Sequence, residues 1–245
     1  MIDFEYDPAK KQFQWIFISF DACIKAYRFC RPMVYLDATF LTGRFRGCLM
    51  EATGINGDKG FFPLAVALAN AENNNSWEWF LRNLTQLVGE GRPITFLSDH
   101  HEGLLHGIPL FFPDSYHSYC YYHLKNNLPI TDSDPRYTLV VGIDAQLVGE
   151  SFNSWILVHR KMHASALLDQ IRMKIMVILA GRRDDGSKMM ILLTPEYEER
   201  LEYLQDEFLA WKVLVANPTV FEVFSERTHR VDLEHWTCTC QRCNY

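Results

Sequence analysis

At 245 residues, 48% of them hydrophobic and 22% charged, the chain holds one large domain or a medium domain plus a module, with ample material for a core. A net charge of −6 excludes the global basic field that advertises nucleic-acid binding, so any contact with DNA must rest on a local site. Seven cysteines, an odd number and mostly scattered, suit a reducing compartment better than a disulfide framework.

In chain order, residues 1–12 read as a polar lead-in, and their early acids, Asp3, Glu5 and Asp7, are unlike a secretory signal. Phe13 to Phe29 reads as helical or mixed, with Phe17, Phe20, Ile24 and Tyr27 at helical spacing. Val34 to Asp37 is a strand, and Cys48–Gly54 with Gly60–Leu68 form a hairpin around Asn56-Gly57-Asp58. Asn73 to Ser76 caps a helix that carries Trp77, Phe80, Leu81, Leu84 and Leu87 and ends at Gly89 and Gly91. Ile94 to Asp99 is a further strand, followed by a short helix over 101–106 and a strand over Ser115–Tyr119. This order predicts an α/β fold, a mixed sheet flanked by helices.

Pro129, Asp132, Asp134 and Pro135 mark a loop, and Tyr137–Ile143 is strand-like; this run and Phe61–Ala69 are too short to span a bilayer. A helical region follows Glu150, with Leu167, Leu168, Ile171, Ile175, Ile178 and Leu179 in period. Thr194-Pro195-Glu196 opens another helix, expected to pack Tyr197, Leu201, Leu204, Phe208 and Trp211. Val220–Phe224 and Arg230–Leu233 alternate as a short β-hairpin before Cys238-Thr-Cys240. The expected division is 1–158 for the α/β domain, 159–216 for a helical segment and 217–245 for the hairpin region.

Two apolar runs end on carboxylates, Asp37 and Asp99, 62 positions apart (99 − 37). Facing carboxylates repel unless a cation lies between them, so with Glu150 they form a candidate divalent-metal site. Two divalent cations on such acids activate the attacking and leaving oxygens of phosphoryl transfer. The plainer alternative is that Asp37 ends a strand, Asp99-His-His-Glu102 forms a capping box and Glu150 is a solvated first-turn acid.

The pieces Leu36-Asp37-Ala-Thr39-Phe, Asn-Ser-Trp77-Glu-Trp79-Phe, Phe-Leu-Ser-Asp99 and Cys120-Tyr-Tyr-His123 resemble the catalytic domain of Mutator-like (MULE) transposases, especially those of plants. Glu150-Ser-Phe-Asn153-Ser-Trp is similar to the segment that carries that family's third acid. The resemblance implies an RNase H-like fold and a catalytic, metal-binding triad of Asp37, Asp99 and Glu150. It further implies Mg²⁺ or Mn²⁺ as cofactor, DNA as partner, cleavage and transfer of DNA strands, and a nuclear location. Val231-Asp-Leu233 with Cys238-Thr-Cys240 resembles the opening of a SWIM-type zinc finger, which implies Zn²⁺ at Cys238 and Cys240 if further ligands complete it. One departure stands out: 27 positions (150 − 123) separate His123 from Glu150, where the family carries a long helical insertion. The alternative function is therefore a domesticated, non-catalytic nuclear protein that binds DNA or regulates transcription, with other proteins or a second copy as partners.

Cys120 and His123 read either as two zinc ligands or as a buried thiol and a hydrogen-bonded histidine. Arg160, Lys161, Arg172, Lys174, Arg182, Arg183 and Lys188 make 159–188 modestly basic, either a phosphate-touching face or a solvated one.

Overall fold

The computed structural model describes residues 1–9, 11–88, 92–119, 152–190, 192–235 and 237–240. The chain divides into two units, Met1–Met190 and Ile191–Tyr245. The first is built on a seven-stranded sheet in the order β1-β2-β5-β4-β3-β6-β7. Its strands are β1 (Ile2–Asp7), β2 (Gln12–Ile18), β3 (Met33–Phe40), β4 (Cys48–Ile55), β5 (Phe61–Ala69), β6 (Thr95–Ser98) and β7 (Tyr116–Tyr119). The pairs β3–β6 and β6–β7 are parallel and the others antiparallel. With its helices this is the α/β mixed sheet that the element order predicts.

The amino-terminal reading needs correction. Residues 2–7 are not a lead-in but an edge strand on β2, and the stretch read as helical or mixed is mixed, split into β2 and α1 (Asp21–Tyr27). Phe13, Trp15 and Phe17 alternate, and that period of two outweighed the helical spacing of Phe17, Phe20 and Ile24. Trp15 stacks on Trp79 at 5.6 Å between ring centroids, and Phe17 lies 5.3 Å from Phe80. These contacts place α2 (Asn74–Val88) on the sheet face that carries Phe17.

Local chemistry sets the ends of the central elements. Asn56 Oδ1 accepts from the Asp58 and Gly60 amides and turns the β4–β5 hairpin. Asn73 Oδ1 accepts from Ser76 N at 3.0 Å and starts α2. α3 (Glu102–Phe111) packs closely on α2: a methyl group on Gly107 would lie 2.5 Å from Leu81 Cδ1. All eight residues of β4 and eight of the nine in β5 are buried, so these two strands form the middle of the core. The helix α4 (Ala164–Lys188) adds Leu167, Ile171 and Ile175 to the same core.

The second unit consists of α5 (Pro195–Phe208) and a four-stranded antiparallel sheet. Its strands are β8 (Lys212–Val215), β9 (Val220–Phe224), β10 (Thr228–Asp232) and β11 (Thr237–Cys238). The expected hairpin is β9–β10, but β8 and β11 flank it. Trp211 lies beyond α5, against Phe208 at 4.4 Å, and Leu201 and Phe208 on α5 are exposed.

Candidate active site

The register of β3 on β6 is Met33↔Thr95, Val34↔Phe96 and Tyr35↔Leu97. Continued two residues, this register would set Asp37 level with Asp99, just past the end of β6; Asp37 itself lies within β3 rather than at its end, because the strand runs on to Phe40. The two acids found in the sequence therefore come from neighbouring strands of one sheet, Asp37 from within β3 and Asp99 from the residue that follows β6. Both are half-buried.

Each carboxylate also has local work. Asp37 Oδ1 accepts from the Ala38 amide at 2.8 Å, and Asp37 Oδ2 accepts from Asn153 Nδ2 at 2.9 Å. Asp99 Oδ1 accepts from the His101 amide at 3.0 Å. The cap of α3 is His101 rather than Asp99, since its Nδ1 accepts from the Gly103 amide at 3.0 Å. Asp99 thus shapes the turn before the helix and leaves the capping to the imidazole.

Asn153 belongs to a short helix over 152–156. Phe152, fully buried, lies 6.1 Å from the Phe61 ring, and Trp155 lies 5.6 Å from it. Together with the Asn153–Asp37 bond, this seats the helix on the sheet face that bears Asp37, opposite α2. The following turn is fixed to the end of β3 by a bond from Thr42 N to Arg160 O at 3.1 Å. Glu150, three positions before Asn153, lies outside the described residues, as do Cys120, His123, Tyr137–Ile143 and the glycines after α2.

Sequence reasoning missed Glu51. It sits in the middle of β4, directly opposite Asp37 on β3 and Val66 on β5, and is 2% exposed. Side chains paired this way across antiparallel strands have Cβ atoms about 4.5–5.5 Å apart. Burial, and then the Asp37 carboxylate, push the Glu51 carboxyl well above its ordinary range. The signal was present in the sequence, as a lone carboxylate inside the apolar run Cys48-Leu-Met-Glu51-Ala. Glu72 is a second acid near the strand ends: it accepts from Trp77 Nε1 at 3.2 Å, and burial raises its pKa.

Among the described residues no three His, Cys, Asp or Glu side chains converge closely enough to hold a metal ion. In the second unit Cys238 and Cys240 bring their sulfurs to 2.8 Å, and the Cys240 amide approaches Cys238 Sγ at 3.3 Å. Several cations of the basic region are engaged. Arg172 pairs with Asp169 and Lys188 with Asp184. Lys174 donates to the Trp155 carbonyl and lies over its ring, while Arg182 donates to the Phe61 carbonyl.

Residues 33–127 match the MULE transposase domain. The match begins on the first residue of β3 and takes in Asp37, within β3, and Asp99, just past β6, so this part of the chain is similar to a MULE transposase domain, which suggests a transposase-like function. No curated protein matches the chain. A transposase domain implies DNA as a partner, and no described helix is long and apolar enough to cross a membrane.

Proposed function

We propose that the chain is a metal-dependent DNA strand-cleaving and strand-transferring protein of the MULE transposase type. Asp37, Asp99 and Glu150 are its acidic triad, and the nucleus is its place of work. The observation that supports this reading is the parallel pairing of β3 with β6, whose register, continued two residues, leads to Asp37 and Asp99. Asn153 supports Glu150 as the third acid, because the residue three positions after Glu150 already bonds Asp37.

The donor set suits Mg²⁺ or Mn²⁺: the acids offer hard oxygens, and the buried Glu51 Oε2 has no hydrogen-bond partner among the described residues. Such a cation, when bound, polarises a phosphoryl oxygen and activates a water or hydroxyl for in-line attack. The chain's own residues do the rest. Asn153 holds one oxygen of Asp37 in place, and the Ala38 amide holds the other. Phe152 and Ile156, both fully buried, keep bulk water from that face of the sheet. In the second unit, Cys238 and Cys240 are two sulfur ligands for Zn²⁺ that require further donors to close a tetrahedral site.

The test is nicking and strand transfer on supercoiled DNA with Mn²⁺. Asp37→Asn is expected to lower the rate at least a hundredfold, and equal activity in that variant would remove the triad. A second reading is a protein that binds DNA without catalysis; the net charge of −6 and the engaged cations of α4 would then confine the DNA contact to a local patch. Retained DNA binding without any nicking would decide for it.

A further inference from the structure

The face of the sheet that bears Asp37 holds more buried oxygen than its packing accounts for. Glu51 Oε2, Thr39 Oγ1 and Thr53 Oγ1 are all buried and without a hydrogen-bond partner among the described residues. They share one face, since Thr39 follows Asp37 by two on β3 and Thr53 follows Glu51 by two on β4. Buried polar groups are nearly always paired, and a buried carboxyl without a partner is the costliest of these to leave so. An apolar side chain would suit the position, as Val66 does next to it on β5. Directly opposite Glu51 in the β3–β4 register stands Asp37, another anion. Two acids placed face to face inside a sheet are explained by a cation that both can reach.

We propose that Glu51 is a direct oxygen ligand, together with Asp37, for the divalent cation of this site, so that the metal centre spans the β3–β4 pair. This assignment rests on the metal-site reading above and adds to it a residue on a strand that supplies no triad member.

The experiment uses the whole chain and Mn²⁺ alone, without DNA. Free Mn²⁺ is followed by electron paramagnetic resonance, and thermal unfolding is recorded with and without the ion. The wild-type chain is expected to bind Mn²⁺ and to melt higher with it. Glu51→Gln keeps the shape of the side chain, should melt no lower than wild type without metal, and should lose about tenfold or more in Mn²⁺ affinity together with the metal-induced rise. Glu51→Asp, which keeps a carboxylate, should bind more tightly than Glu51→Gln and serves if the glutamine variant fails to fold. A Glu51→Gln chain that binds Mn²⁺ like wild type while Asp37→Asn does not would overturn the role of Glu51 and leave the triad standing. No Mn²⁺ binding by the wild-type chain would overturn both.

Discussion

The two units of this chain use β-structure in opposite ways. In Met1–Met190 the central strands β4 and β5 are buried almost throughout, with α2 on one face and the 152–156 helix on the other. In Ile191–Tyr245 the strand β8 is exposed at all four positions, and Val220 and Cys238 are the buried apolar side chains among the described residues. A sheet covered on both faces can hold a carboxyl such as Glu51 away from water and use it. A small sheet with so little buried cannot draw its stability from a core, and units of this size usually depend on a metal, a disulfide or a partner.

The sharpest way to break this comparison is to remove one large side chain from each unit. Trp77 on α2 is fully buried. Trp77→Ala should cost about 3–5 kcal/mol in urea unfolding, through lost burial and the cavity left behind. Leu214 on β8 is 46% exposed, and Leu214→Ala should stay within about 0.5 kcal/mol. A comparable loss at Leu214 would mean that the second sheet has a core of its own.

How far each region was legible from sequence follows the same division. The middle of the first unit could be read because β3 to α3 obey local rules: the Asn56-Gly57 turn, the Asn73 cap and the apolar face of α2. Asp37 and Asp99 were legible because they end apolar runs. Glu51 was not, because its meaning depends on the register that puts it opposite Asp37, and register is a long-range property. Phe13–Phe29 was legible only as helical or mixed, because two aromatic spacings overlap in Phe13–Phe20. On α5 the apolar period was real, but periodicity does not supply a surface to pack against, and Leu201 and Phe208 stay exposed.

Alkali should separate the two units next. Burial pushes the Cys23 and Cys30 thiols up to about 11 and Cys48 to about 12, from an ordinary 9.0. A raised acid keeps its proton in the folded chain and gives it up in the unfolded one. The stability from these thiols is therefore fully present below pH 9 and is lost as pH rises through 11 to 12. Each thiol can remove at most about 1.4 kcal/mol per pH unit in that window. Urea unfolding of the first unit should weaken steeply above pH 9, and Cys48→Ala should flatten the slope. An unchanged slope in that variant would show that other groups cause the alkaline loss.

The smallest effect concerns the turn that carries β11. Asp232, at the end of β10, accepts from the Glu234 amide at 3.0 Å and the His235 amide at 3.1 Å, and pairs with His235 Nδ1 at 3.0 Å. The side-chain bond from His235, then its amide, hold the Asp232 carboxyl below its ordinary value. For a depressed acid the sign is the reverse of the thiols: its contribution is present above the ordinary aspartate range and is lost as pH falls through the lower, folded-state value. The turn sets the register Asp232↔Thr237 and Val231↔Cys238, and with it the position of the sulfur pair. Asp232→Ala should therefore speed amide exchange at Thr237 and Thr239 at neutral pH, whereas in the wild-type chain the turn should loosen only in acid below the ordinary aspartate range. The melting of the first unit should stay where it was. If exchange in β11 does not respond, the turn is held by the strand bonds alone, among them Thr239 N to Arg230 O at 3.0 Å. The second unit would then owe its order to backbone pairing rather than to this carboxylate.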